Sequence, residues 1–461
     1  MHIGIDFGTS YSAAATYRNG MLEIIRFGDA AQFRTAVFFP EVVPDPSDFV
    51  LTPALESEVE THVRDLRIQQ RQFGTPERAD DVLRRDAIRV VRRQWLEERA
   101  RTSPAATLES FQHALFGDDA VDAYMEYGDG NLIESPKSML GFRMDADVRK
   151  VIVHITTHIL EHIRLTASRQ LDEPVRSAVI GRPVQFRSSM GERGSEQAIE
   201  LIREAAAVAG FDEISFMEEP AAAAMHYHKS LEHRQRALIV DIGGGTTDVA
   251  YAELGGGEHP QITRSWGLAK GGTDLDVNLS VHAFMPLLGN NIANVPVHYF
   301  VEAASVHNLP KQREFRRQDF RFVDEPWQSR LCNLHIPGAT TRLNQEAEHT
   351  KIVLSTEPAH RSDLGFLEDG VGVDTTQSDL SEAISPFIHR LKRALGDVND
   401  DLVELEIPAS VFLTGGTSRS LAVQAAVRES FPKIDLVKGD PSLGVVSGLA
   451  VAAAELDGMP P

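Results

Sequence analysis

Two short segments carry the residue types that hold a polyphosphate. The first, Ile3-Gly4-Ile5-Asp6-Phe7-Gly8-Thr9-Ser10, is a short apolar strand, an aspartate and a tight Gly/Thr/Ser turn. The second, Leu238-Ile239-Val240-Asp241-Ile242-Gly243-Gly244-Gly245-Thr246-Thr247-Asp248, repeats that pattern with three glycines. A glycine-rich turn between strands leaves backbone N–H groups open to a phosphate. The hydroxyls of Thr9, Ser10 and Thr246 add donors. Asp6 and Asp241 end their strands beside the turns, placed to hold a hydrated magnesium ion, which keeps several waters and uses few carboxylates. Two such turns would grip a polyphosphate from both sides. No G-x-x-x-x-G-K-[ST] element occurs, so this is not a P-loop chain. Either turn alone is equally an ordinary hairpin, with Asp initiating it and Gly supplying positive φ. Their repetition separates the two readings.

Asp6 and Asp241 are 235 residues apart, and a second pair of features recurs at nearly that offset. Ala178-Val179-Ile180-Gly181 and Val411-Phe412-Leu413-Thr414-Gly415-Gly416 read as buried strands ending at glycine. Each precedes a helix, Ser195 to Ala209 closed by Gly210, and Leu421 to Ser430. A third pair is Glu219-Pro220 before Ala221–Ala224 and Asp440-Pro441 before Gly444–Ala450. Both read as small-residue helices with proline in the first turn, able to cross closely at the base of a cleft. The matched order predicts an α/β fold of two similar lobes, near 1–230 and 235–461, facing each other across that cleft. Asn19-Gly20 and Gly255-Gly256-Gly257 read as the outer hairpin turns. Two insertions read as rim subdomains. Pro40 to Glu134 is largely helical, with an amphipathic run from Asp81 to Arg101 in which Val82, Leu83, Val90, Val91 and Trp95 are spaced for burial. Met285 to Asn344 is mixed and turn-rich, with a helical tail.

Composition narrows the classes. Among 461 residues, 67 Asp and Glu outnumber 46 Lys and Arg, a net charge of −21, which argues against nucleic acid as a partner. Val445 to Ala454 is too short to span a membrane, and Met1–Asp6 lacks the basic and apolar regions of a signal peptide. The single cysteine, Cys332, rules out an intrachain disulfide and reads as a structural thiol. The expectation is a soluble, cytoplasmic protein without membrane contact. His154, His158 and His162 form one stripe on a helix from Asp147 to Gln170 and read as its flank rather than as a metal site, because no H-E-x-x-H pattern accompanies them.

Taken together, these motifs resemble those of the actin and DnaK-type chaperone superfamily of ATPases, whose lobes have a ribonuclease-H-like fold. Residues 5–11 look like its first phosphate motif and Asp241–Asp248 like the second, in the chaperone spelling. Ser135-Pro136-Lys137-Ser138-Met139-Leu140-Gly141 resembles the segment of the catalytic lysine. Glu218-Glu219-Pro220-Ala-Ala-Ala-Ala, Gly271-Gly272-Thr273-Asp274-Leu275-Asp276 and Leu413-Thr-Gly-Gly-Thr-Ser-Arg419 resemble further chaperone motifs in collinear order. Ser-Pro-Lys-Ser-x-Leu-Gly and Ile-Gly-Arg-Pro-Val-x-Phe look most like the YegD-like branch. The resemblance implies ATP or ADP as ligand, with Asp6 and Asp241 orienting hydrated Mg²⁺ and Asp248 near a monovalent cation, K⁺. Gly8, Thr9, Ser10 and Tyr11 would line one side of the phosphates, and Gly243, Gly244, Gly245 and Thr246 the other. Lys137 would position the attacking water, with Glu219 as proton acceptor, Asp6, Asp241 and Thr246 completing the catalytic set. Gly271, Gly272, Glu348, Lys351, Ile352, Ser355, Gly415, Gly416, Arg419 and Asp440 would bind the adenosine.

Two departures stand out. The family's Glu-x-x-Lys-Arg-x-x-Ser helix is matched by Glu348, Lys351 and Ser355, but Ile352 replaces the arginine, leaving Arg419 alone to stack on the base. Only Leu456–Pro461 follow Glu455, so the expectation is a chain without the peptide-binding domain, unable to clamp unfolded peptides. The leading expectation is a slow Mg²⁺-dependent ATPase acting as a nucleotide switch on an unidentified protein partner or client. The alternatives are an actin-like assembly protein, a nucleotide-binding module without hydrolysis, and a small-molecule kinase, for which no substrate signature is present.

Overall fold

The computed structural model describes every residue except 19, 40–48, 74–79, 103–113, 128–129, 145, 257–258 and 459–461. The turn residues Asn19 and Gly257, and Pro40 at the first insertion's boundary, lie outside the described residues. The chain forms two compact units, one of Met1–Ala36, Phe116–Asp118 and Ile133–Pro461, the other of Val37–Leu115 and Asp119–Leu132.

The larger unit holds two sheets built to one plan. In the first, β1 (His2–Phe7) pairs antiparallel with β2 (Tyr11–Arg18), which carries β3 (Met21–Ile24) and β4 (Phe33–Arg34); β8 (Ser177–Arg182) and β9 (Glu213–Glu218) continue it in parallel. In the second, β10 (Gln235–Ile242) pairs antiparallel with β11 (Thr247–Leu254), then β12 (Gln261–Leu268), while β15 (Ser410–Thr414) and β16 (Asp435–Lys438) add on in parallel. Strand order and sense therefore agree, and each phosphate-type turn joins the first two strands of its sheet. Both central strands are apolar almost without interruption because both their faces are covered.

Helices α6 (Glu219–His228) and α14 (Gly444–Leu456) form the layer common to both sheets. Ala222–Ala224 and Leu449, Ala452 and Ala453 pack on Ala237, Ile239, Ala250 and Ala252, while Val446 and Ala450 pack on Ala13 and Ala15. Small side chains let the helices come close enough that a Cβ on Gly448 would lie 1.7 Å from the Ala222 carbonyl oxygen. Pro220 stands in the first turn of α6. Pro441 does not do so in α14: the helix is capped by Leu443, and the preceding turn is held by Asp440, whose Oδ1 accepts from the N–H of Ser442 and Leu443 at 2.8 and 2.9 Å.

The outer faces carry longer helices. On the first sheet's side, α4 (Ala146–Leu171) packs with α5 (Glu192–Val208). Ile152, Ile155, Ile159 and Ile163 of α4 are buried. Val148 and Val151 of the same helix are exposed. Beyond the second sheet, α12 (Gln377–Asp401) buries Leu380, Ile384, Phe387, Leu391 and Leu395, a stripe at helical spacing, together with α13 (Leu421–Ser430). The first turn of α12 is fixed by a Thr376/Asp379 capping box. After α7 (Gly272–Leu279), the second insertion is mainly helical rather than mixed. Its α8 (Val297–Ala304), α9 (Leu309–Arg316), α10 (Trp327–Leu334) and the start of α11 (Ala339–Val353) enclose Phe284, Phe300, Phe315, Phe320 and Leu331. A hairpin of β13 (Ala359–Asp363) and β14 (Gly372–Thr376) follows. Cys332 of α10 is exposed, contrary to its reading as a structural thiol.

In the smaller unit, α1 (Pro53–Phe73) packs on α2 (Asp80–Thr102) through Val59 against Ala87 and Val91. Leu83, Ala87 and Val91 are buried at i, i+4 spacing; Val82 and Val90, turned about 100° from them, are exposed. Phe38 of β5 (Ala36–Phe39) packs on Ala120, Ala123 and Tyr124 of α3 (Gly117–Tyr127), with β6 (Leu115–Phe116) and β7 (Asn131–Glu134) flanking β5.

Candidate functional site

Both turns open on one cleft of about 930 Å³ in the larger unit. It is lined from the first turn by Asp6, Gly8, Thr9, Ser10 and Tyr11, and from the second by Asp241, Gly243, Gly244, Gly245 and Thr246. The short helical turn Pro136–Met139 brings in Lys137 and the N-terminus of α6 brings in Glu219. Gly272, Glu348, Lys351, Ile352, Ser355, Gly415, Gly416 and Arg419 complete the expected set at the other end. Three expected residues stand outside the lining. Asp248 is fully buried behind the turn, facing Asp241 across the hairpin. Gly271 packs on the backbone of Gly243 and Gly244, and Asp440 holds the turn before α14.

The end of the cleft beside the Asp6 and Asp241 strands concentrates negative charge around Lys137. Lys137 Nζ donates to Glu219 Oε1 at 2.5 Å, and both side chains are buried. Asp241 and Asp248 are buried beside them, with Asp6 at the cleft wall. Burial, reinforced by the charge on Glu219, pushes the Asp6 carboxyl up to about 7 and Asp248 up to about 8. Burial together with Glu219, Asp248 and Asp6 lifts Asp241 well above the carboxylate range. For Lys137 burial acts downward, but Glu219 and Asp6 overcome it and hold the ammonium above the ordinary lysine value. Asp241 Oδ1 and Asp248 Oδ2 are buried without a hydrogen-bond donor. Oxygen atoms in this state suit a hard cation or its waters. Among the described residues no three His, Cys, Asp or Glu side chains are arranged to ligate a metal directly.

These shifts set a pH dependence. Unfolded aspartates lose their protons near pH 4, whereas the folded chain holds them to about 7 and 8 at Asp6 and Asp248. The native state thus binds more protons between these limits, and stability falls as pH rises. The melting temperature of the protein alone is expected to drop from pH 5 to pH 8. A flat or rising profile, with the Asp248→Asn variant matching wild type, would show that these carboxyls are not so perturbed.

Each turn is braced from behind. Thr35 N–H donates to the Ser10 carbonyl at 2.8 Å. In the second turn Gly272 N–H and Thr417 Oγ1 both donate to Gly243 O at 2.9 Å. Thr273 N–H and Oγ1 donate to Gly244 O at 2.8 and 3.0 Å. Gly415, at φ +84°, passes so near β10 that a Cβ there would lie 2.5 Å from Asp241 Oδ1.

At the other end, Lys351 Nζ pairs with Asp276 at 2.6 Å. Glu348 pairs with Arg34 Nη2 at 2.9 Å, and the same nitrogen donates to the Tyr11 hydroxyl at 3.1 Å. Arg34 thus spans from the first phosphate turn to α11. Ile352 is 57% exposed on the cleft wall, and Arg419 Nη2 donates to Ser442 Oγ at 3.3 Å. Sequence reasoning missed Arg34, Asp276 and Thr417. Asp276 lies within the Gly271–Asp276 segment and Thr417 within the Leu413–Arg419 segment, which were usable signals; Arg34 had none.

The histidine stripe divides. His154 and His158 bring their Nε2 atoms to 3.2 Å, while His162 stacks on Phe116 beside Phe27 and Phe33. Burial lowers His158 and His162 to about 4, so both rings are neutral at physiological pH.

Residues 100–288 match the family model described as Hsp70 protein. The Chaperone protein HscA homolog of Acinetobacter baumannii is 28% identical over 333 residues, covering 71% of this chain and 45% of that protein. The Chaperone protein DnaK of Cenarchaeum symbiosum is 27% identical over 315 residues, 66% of this chain and 40% of that protein. The HscA homolog of Acinetobacter baylyi aligns over 99% of this chain and 58% of its own, at 24% identity. Together with the α/β architecture, these matches define the class as an actin-like ATPase fold. Within that class, the chain is similar to Hsp70-family proteins, and the matches support a DnaK-type nucleotide-binding domain. It spans about half the length of the curated relatives it matches. No helix among the described residues is long and apolar enough to cross a membrane.

Proposed function

We propose that this chain binds ATP with magnesium in the cleft, hydrolyses it slowly, and acts as a chaperone-like nucleotide switch. Lobes near 1–230 and 235–461 close on ATP and relax after hydrolysis, changing the affinity for a protein partner. The observation that carries this reading is the buried Lys137–Glu219 pair facing both phosphate turns. Phosphoryl transfer requires positioning and charge stabilisation above all. The free N–H groups and hydroxyls of the turns hold the phosphates, Lys137 orients the attacking water and offsets charge developing on the γ-phosphoryl oxygens, and Glu219 accepts the water's proton. Asp6 and Asp241 hold hydrated Mg²⁺, which neutralises the phosphate charge, and Asp248 faces a monovalent cation such as K⁺. Glu348, Lys351, Ile352, Ser355 and Arg419 hold the nucleoside.

Single-turnover hydrolysis of radiolabelled ATP, with binding titrated in parallel, tests this. Turnover is expected with Mg²⁺ and none with a chelator. Binding of Mg-nucleotide at pH 7 should release protons as a cation displaces them from Asp6, held up to about 7, read from calorimetric heats in buffers of different ionisation enthalpy. Binding without turnover would reduce the reading to a nucleotide-binding module; absence of binding would sink it.

A further inference from the structure

The amides of the second phosphate turn point at a phosphate only while its carbonyls point away. The braces on Gly243 and Gly244 come from residues 272, 273 and 417, which belong to the same half of the chain as the turn. Gly245 is held differently. Its carbonyl accepts from Arg187 Nε at 2.7 Å, and Arg187 belongs to the segment that follows β8 in the first sheet. Arg187 Nη2 also donates to Thr273 Oγ1 at 3.2 Å and, at closer range, to the Asp274 carboxylate. That carboxylate is already fixed by Lys270 Nζ at 2.7 Å and Gly271 N–H at 3.0 Å. Burial opposes its charge, but Arg187 and Lys270 prevail and hold it below the ordinary carboxylate value. The Arg187 side chain is only 13% exposed and does not line the cleft. Three residues earlier, Val184 N–H donates to Asp248 Oδ1 at 2.7 Å. Residues 184–187 are therefore clipped to the second hairpin at two points.

We infer that Arg187 is a positioning residue that sets the phosphate-accepting form of the second turn and makes that form depend on how the first sheet's segment is seated. Of the three braced carbonyls, one is held from across the fold. Displacing the segment frees the Gly245 carbonyl to rotate and withdraws an amide from the phosphate site, without any substitution among the residues that line the cleft. The inference rests on the nucleotide-binding reading above and adds a residue that reading does not use.

The test compares Mg-ATP with adenosine, which lacks the phosphates. A charge-assisted hydrogen bond of this kind corresponds to about 10–100-fold in affinity. Arg187→Ala is expected to lose about that factor for Mg-ATP while adenosine binding stays within about two-fold. Arg187→Lys keeps the charge but not the fork, and falls between; it also serves if the alanine variant does not fold. Asp274→Asn, which loosens the guanidinium, should shift Mg-ATP in the same direction by less. Equal losses for ATP and adenosine, or a lowered melting temperature with ATP affinity intact, would overturn the assignment. Wild-type protein that binds no ATP would sink the functional reading itself, whereas wild type and Arg187→Ala binding ATP equally would sink only this inference.

Discussion

Lys137→Ala is expected to bind Mg-ATP within a few-fold of wild type and to slow the single-turnover step by about 100–1,000-fold, the scale of removing one preorganised charge from a transition state. The ammonium sits among Glu219, Asp6, Asp241 and Asp248, so among the described residues it is the cationic side chain at this end of the cleft. On the proposed reading the ground-state phosphates are also gripped by the two glycine-rich turns, which the substitution leaves in place. Binding and chemistry should therefore separate. Removing the lysine leaves Glu219 buried without its partner, which destabilises the fold unless the carboxyl takes a proton. The double variant Lys137→Ala/Glu219→Gln removes that complication. If it too binds and does not hydrolyse, the loss belongs to chemistry rather than to misfolding. Hydrolysis persisting in a folded Lys137→Ala protein would remove lysine from the mechanism.

The second large effect lies away from the chemistry. Gly448→Val places a side chain where even a Cβ comes within 1.7 Å of the Ala222 carbonyl oxygen. The obstacle is helix backbone, so α14 and α6 must move apart. The expected cost is about 3 kcal/mol or more, the upper end of overpacking penalties, read as a lower midpoint in urea. Because Ala222 lies one turn from Glu219, surviving folded protein should also hydrolyse more slowly. Gly396→Ala is the counterpart. It lies within α12 with no atom near its added Cβ, and should stabilise by about 0.5–1 kcal/mol. Equal stability of the two variants would mean that the helix crossing is not tight.

What was legible in the sequence was local or repeated. The Asp-Gly turns, the strands ending at Gly181 and Gly415, and the helix 421–430 each declare themselves within a dozen residues. The equal offsets then fix their pairing. Helix faces were less legible: Val82, Val90, Val148 and Val151 are apolar and periodic, yet exposed, because the neighbouring rows of each helix meet the core first. Pro441 looked like Pro220 but stands in a turn outside its helix, since Asp440 supplies the bonds that delay the helix start. Arg34 and Arg187 could not be read at all. Their roles arise from contacts 314 residues away at Glu348 and 58 residues away at Gly245, and a lone arginine near a strand end looks the same wherever it points.

The packing of α14 has a consequence for biosynthesis. The first sheet, whose strands lie within residues 2–218, is covered on one face by Val446 and Ala450, and Gly4 lies against the backbone of Leu449 and Ala450. A ribosome adding roughly 5–20 residues per second leaves that face uncovered for about ten seconds to most of a minute after β9 has emerged. Throughout that interval Ala13 and Ala15 belong to a sheet face that cannot close. Helix 444–456 is thus a timing element: the nucleotide cleft comes into existence only when it arrives, and a nascent chain stalled before it exposes an apolar sheet face to the cell's own folding machinery.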